Sequence, residues 1–214
     1  RRYYPITLYS FEDGLFVQSA APEYAALVGG KVTRIGKTDA GGYLAAAARV
    51  VPHENDGWLR AWGPDWLAFA EVMDGLGLVQ DLEALPVTIE KEGKRQTVVV
   101  RPVARPARGG HNPADAFDRS GWVDMRGSAA APAWQRNPGM PYWVEYLAAE
   151  RTLYVAYRAV ANLPAPNTNA AFWTRVFAMA DSLSPQRLVI DLRDNSGGNS
   201  FYNRRVVRGI VARP

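Results

Sequence analysis

Between Pro102 and Pro141 the sequence loses any regular period. Prolines at 102, 106, 113, 132, 138 and 141 and glycines at 109, 110, 121, 127 and 139 fall through this stretch. Proline lacks the N–H that a helix interior or a central strand needs, and its ring fixes φ. A chain of 214 residues crossed by such a stretch is expected to fold as two small units. The expected organisation is a first unit over 1–103, a linker or irregular crossing loop over 104–141, and a second unit over 142–214.

In the first unit, GLFVQSAAPEYAALVGGKVTRIG (14–36) reads as a strand over 15–17, a short helical turn and a second strand over 31–35. Pro22 suits the first position of the turn and Gly29-Gly30 its end. Residues 43–51 predict a helix, because alanine is a strong helix former. Over 57–80 the apolar residues, Trp58, Trp62 and Trp66 among them, recur at gaps of three and four. That spacing predicts helical packing, broken in two by Pro64. The three tryptophans read as a packed aromatic face, with a ligand platform as the alternative. Residues 86–103 predict a β-hairpin turning at 91–94.

The second unit opens with strands over 142–147 and 152–160. A helix over 170–183 follows, with Phe172, Val176, Phe177, Met179 and Ala180 inward, and then a strand over 187–192. The run Leu188-Val189-Ile190 predicts a buried strand of a parallel or mixed sheet. The class is mixed α/β (α+β), and no internal repeat is visible.

Composition narrows the function. Hydrophobic residues make up 48% of the chain, so a packed core can form, and seven Trp and ten Tyr speak against disorder. The net charge is +4 and its arginines are scattered, unlike the clustered footprint of a nucleic-acid binder. No cysteine is present, which removes disulfides, thiolate metal sites and cysteine nucleophiles. No run of 18 apolar residues predicts a membrane-spanning segment, and no signal-peptide pattern opens the chain. The missing initiator Met and a close on RRVVRGIVARP, read as a helix cut short, predict a segment of a longer protein.

The chemistry concentrates in LVIDLRDNSGGNS (188–200). A strand ends there in a charged, glycine-rich loop, and in open α/β sheets sites lie outside the carboxyl ends of strands. Gly197 and Gly198 can adopt positive φ and let another backbone approach. Successive N–H groups in such a turn form a concavity for an anion, and a helix starting near Phe201 adds its positive amino end. A phosphate, a carboxylate or a developing oxyanion would each suit it. Neither phosphate-loop fingerprint occurs in the sequence. Asp191 and Asp194 raise a metal reading, but Arg193 lies between them and a salt bridge is the simpler use. No cofactor or metal is expected.

The run LVIDLRDNSGG (188–198) closely resembles the D-L-R-x-N-x-G-G signature of tail-specific, or carboxyl-terminal processing, serine peptidases. The order of a Tyr/Val-rich strand, a loop, an amphipathic helix and the signature strand is similar to that family as well. The resemblance covers 142–200 strongly. It covers 11–101 loosely, where 14–36 is similar to a PDZ phrase interrupted by a Trp-rich helical insertion at about 43–85. It implies a PDZ-like β unit followed by the first part of a crotonase-like catalytic domain. It further implies a backbone N–H of Gly197 or Gly198 in an oxyanion hole, with Asp191, Arg193 and Asn195 shaping the loop.

The family's nucleophilic serine lies downstream of the glycine pair in a turn that these residues do not contain. Lys31, Lys37, Lys91 and Lys94 match no catalytic lysine, and His53 and His111 match no family motif and read as surface or structural residues. Ser196 and Ser200 have no partner in sequence. The expectation is thus a piece of a polypeptide-cleaving serine peptidase, inert by itself, with a periplasmic or extracytoplasmic home implied by the family. The alternative is a non-catalytic module on the same scaffold, binding a peptide or an apolar ligand at Trp58, Trp62 and Trp66. An open sheet edge in the second unit predicts self-association.

Overall fold

The computed structural model describes residues 2–105, 119–137, 139–193 and 195–213. His111 and Asp194 lie outside the described residues, as does 106–118 of the proline-rich stretch. The chain is of mixed α/β class and divides into two compact units, Arg1–Ala129 and Ala130–Pro214.

In the first unit the elements are β1 (Arg2–Tyr3), β2 (Ile6–Phe11), β3 (Gly14–Ala20), a 3-10 turn (Pro22–Leu27), β4 (Lys31–Ile35) and β5 (Thr38–Asp39). Helices α1 (Ala40–Ala47), α2 (Asp56–Trp66) and α3 (Ala70–Gly75) come next. They are followed by β6 (Leu85–Lys91), β7 (Lys94–Val100), β8 (Val103–Ala104) and β9 (Val123–Asp124). The main sheet runs β2-β3-β4-β6-β7 with antiparallel pairs, β5 joining β4 and β9 joining β3. β1 pairs with β8. The hairpin β6–β7 turns at Glu92 and Gly93, both at positive φ (53° and 71°), the handedness that suits twisted strands.

Two local expectations are corrected. Pro64 does not break its helix; it is buried inside α2, where only the N–H bond to the Arg60 carbonyl is forgone. The interruption falls at Leu67–Phe69 because this segment is drawn into β-type contact: Tyr4 N–H donates to the Ala68 carbonyl at 2.9 Å, and Tyr3 bridges Phe69. The first helix begins at Ala40, not 43, because the Asp39 carboxylate caps it by accepting from Gly42 N–H at 2.7 Å.

The second unit holds a 3-10 turn (Ala133–Gln135), β10 (Tyr142–Leu147), β11 (Thr152–Tyr157), α4 (Asn169–Leu183), β12 (Arg187–Asp191), a 3-10 turn (Ser200–Tyr202) and α5 (Asn203–Val211). Its sheet is ordered β10-β11-β12, antiparallel and then parallel, so β11–α4–β12 is a crossover unit. Every residue of the central β11 is buried. Leu153, Val155 and Tyr157 point to one face and pack with Phe172, Trp173, Val176 and Phe177 of α4 and Val206 of α5. Tyr154 and Ala156 point to the other, with Trp143 and Ala133.

The expectation of a buried strand at 188–190 is corrected. Among the described residues β12 pairs only with β11. Leu188 and Ile190 join the α4 core, while Val189 is 39% and Leu192 58% exposed. An apolar run without alternation predicts two covered faces; here one face is half covered and the outer edge is open.

Candidate functional site

Two clamps hold the loop after β12. The first is polar and sits under Asp191, which is buried at the end of the strand. Its carboxylate accepts the Tyr154 hydroxyl at 2.5 Å, the Arg193 backbone N–H at 2.9 Å and the Arg193 guanidinium. The guanidinium in turn lies over the Trp134 ring at 5.2 Å. The Arg193 side chain, followed by Tyr154, holds the Asp191 carboxyl well below its usual range, against burial, which pushes the other way. Burial and then the facing Asp191 push the Tyr154 phenol up to about 12, so it remains a donor. Arg193 and Asp191 therefore shape the strand end through their own ion pair, and both carboxylate oxygens are already engaged.

The second clamp is Asn195. Its amide Nδ2 donates to the Tyr157 carbonyl, and its Oδ1 accepts the Gly197 N–H at 2.8 Å. This Asx-type turn ties the loop to the end of β11. Val160 completes the tie: its N–H donates to Gly197 O at 2.7 Å and its carbonyl accepts Asn199 N–H at 2.9 Å. Gly198 lies between these bonds at φ +132°, and a Cβ there would stand 2.3 Å from the Val160 carbonyl oxygen. Only glycine fits.

The two glycines differ in a way that sequence could not resolve. The Gly197 N–H is taken up by Asn195, whereas the Gly198 N–H donates to no partner among the described residues, and the residue is exposed. Beyond it Asn199 caps the 3-10 turn that leads into α5, its Oδ1 accepting Phe201 N–H at 3.0 Å. An open donor next to the amino end of a helical segment is an arrangement that favours a negative charge.

Arg158 went unnoticed in the sequence. Its guanidinium donates to the carbonyls of Trp134 and Arg136 (both 2.7 Å), Asn137 (2.6 Å) and Met140 (3.3 Å). Its own carbonyl accepts Ser196 N–H at 2.9 Å. One residue thus binds the 134–140 segment on one side and the glycine loop on the other. The available signal was a lone charge directly after the buried, uncharged β11.

Other candidates lie elsewhere. The Ser196 hydroxyl turns back to the Arg158 carbonyl at 3.4 Å, and Ser200 opens the 3-10 turn. His53 is exposed and its Nδ1 contacts the Val51 carbonyl at 2.8 Å. Lys31 sits over Phe16 and Lys91 donates to Val28 O, both in the first unit with Lys37 and Lys94. Trp58 stacks on Trp62 at 5.8 Å, while Trp62 and Trp66 pack partly against the first unit's core. No helix among the described residues is long and apolar enough to cross a membrane. Compared with known proteins, the chain matches no family model and no curated relative.

Proposed function

We propose that the loop 194–200 stabilises an oxyanion for a serine-type peptidase of the tail-specific kind, acting on polypeptides. The observation that carries the reading is the Gly198 N–H, which has no partner among the described residues. It is held at the carboxyl end of β12 by Asn195, Val160 and Arg158 while its neighbour's N–H is consumed. Catalysis gains most from donors fixed before charge develops, because no reorganisation is then needed at the moment of reaction. Gly198 is the donor in this reading, and Asp191, Arg193 and Asn195 are positioning residues. No serine among these 214 residues is assigned as the nucleophile in this reading. The PDZ-like and crotonase-like assignments of the two units, and an extracytoplasmic home, belong to the same proposal.

A serine-directed fluorophosphonate tests it in two settings. The 214-residue chain is expected to remain unlabelled. The protein expressed from its full reading frame is expected to be labelled and to cleave unstructured polypeptide. Labelling of Ser196 or Ser200 would overturn the assignment of roles. Absence of labelling and cleavage in the full protein would remove the hydrolytic reading.

The exposed Trp58, stacked on Trp62, favours a second reading, a binding module for peptides or apolar ligands. Titration of tryptophan emission with peptides and with lipid vesicles separates the two, since only the module requires a saturable change.

A further inference from the structure

Helices α4 and α5 flank an open groove of about 600 Å³. Its apolar lining is Ala170, Phe177 and Phe201, of which Phe201 stands exposed while the Phe177 ring also lies under the Arg213 guanidinium at 4.5 Å. The Phe177 ring occupies the space that a side chain at Gly209 would take: a Cβ there would lie 2.0 Å from it. Its rim is basic, with Arg204, Arg205 and Arg208 all exposed and all lining the groove. Arg204 rests over the Phe201 ring at 4.3 Å, and Arg205 donates to Thr174 Oγ1 at 3.0 Å. None of the three has an acidic partner among the described residues, and no acid lines the groove. The nearby Asp181 is already paired with Arg213 at 2.6 Å. Three like charges at helical spacings of three and four repel one another, and an anion from outside would relieve that repulsion.

We infer that this groove docks an acidic polypeptide segment. Its apolar side chains lie on the Phe177–Phe201 lining, and its carboxylates face Arg204, Arg205 and Arg208. Guanidinium forks match carboxylates in bidentate geometry. Small-molecule sites enclose most of their ligand, whereas this groove is open and suits a chain that passes along it. A flat bilayer surface does not enter a concavity between two helices. Three arginines in a chain of net charge +4 are a short track for a nucleic acid, whose affinity rests on many phosphate contacts. The inference goes beyond the hydrolytic reading and stands whether or not Gly198 serves an oxyanion.

Fluorescence anisotropy on the 214-residue chain tests it. The probe is a fluorescein-labelled peptide of about sixteen residues alternating Leu and Glu pairs, compared with its Gln counterpart. The Glu peptide is expected to bind at least about tenfold tighter, and added salt to weaken it. Arg204→Gln with Arg208→Gln is expected to lose about tenfold in affinity, Phe201→Ala to lose a similar amount, and Arg95→Gln in the first unit to change nothing. Circular dichroism reports whether each variant is folded. Arg208→Gln alone, at a side chain without a bonded partner among the described residues, provides a mild variant that keeps the test valid. Equal binding of the Glu and Gln peptides, or full affinity in the arginine variants, would overturn the docking site. Full affinity in Phe201→Ala would reduce it to plain charge attraction and so overturn it too. Tighter binding of inorganic tripolyphosphate than of the Glu peptide would assign the groove to phosphate instead.

Discussion

At the residue scale, adjacent glycines with the same side chain carry different burdens. Gly197 has open space where a Cβ would go, so Gly197→Ala meets only the strain of φ +82°, about 1 kcal/mol. Gly198→Ala would also drive a methyl into the Val160 carbonyl, and is expected to cost roughly 3 kcal/mol. Thermal unfolding of the two variants checks the order. In the proposed hydrolase Gly198→Ala keeps the N–H but displaces it from its place, and turnover is expected to fall by up to about 100- to 1000-fold. Asp191 makes a second residue-scale prediction. Its folded carboxyl titrates below the ~4 of an unfolded aspartate. The stability it contributes is therefore complete above about pH 4 and is lost as pH falls below that. Denaturant unfolding of Asp191→Asn against the wild type is expected to show a gap at about pH 6 that closes toward about pH 2. Arg193 is 60% exposed, so water screens its share of the ion pair. The buried contact with Tyr154 and the Arg193 backbone N–H add to what remains of it.

At the scale of elements, Arg158 joins segments that have no secondary structure in common. Four carbonyls of the 134–140 segment converge on its guanidinium, and no neutral side chain can satisfy them together. Arg158→Met is expected to cost roughly 2 kcal/mol and to raise amide exchange at Ser196, whose N–H bonds the Arg158 carbonyl. If exchange at Ser196 stays unchanged while the 134–140 segment loosens, the two sides of the clamp are independent. The charge at 158 is visible in the sequence. Its partners are main-chain carbonyls contributed by a stretch rich in proline and glycine, and no side-chain pattern advertises them.

At the scale of the molecule, the outer edge of β12 is the exposed feature with the largest consequence. Its N–H and C=O groups on that side have no partner strand among the described residues, and Val189 and Leu192 stand out in water beside them. Such an edge templates pairing with another chain. Self-association of the 214-residue chain is expected in light scattering as concentration rises. Val189→Lys, which places a charge on the edge strand without touching the α4 core, is expected to suppress it. Unchanged association in this variant would place the contact elsewhere.

Local sequence pattern sufficed for the mixed α/β class, for a hairpin within 86–103, and for the order of strand, helix and strand in the second unit. Those follow from local periodicity, turn residues and the intolerance of proline and glycine for regular structure. Tertiary structure alone decided that Pro64 stays inside its helix, since the break came from a carbonyl recruited by Tyr4. It decided that β12 is an outer strand, since an apolar run does not report how many neighbours it will have. It also separated Gly198 from Gly197 and laid α4 beside α5, so that the arginine face of α5 borders a groove. Each of these depends on which distant backbone group or helix arrives beside a residue, and no spacing along the chain encodes that.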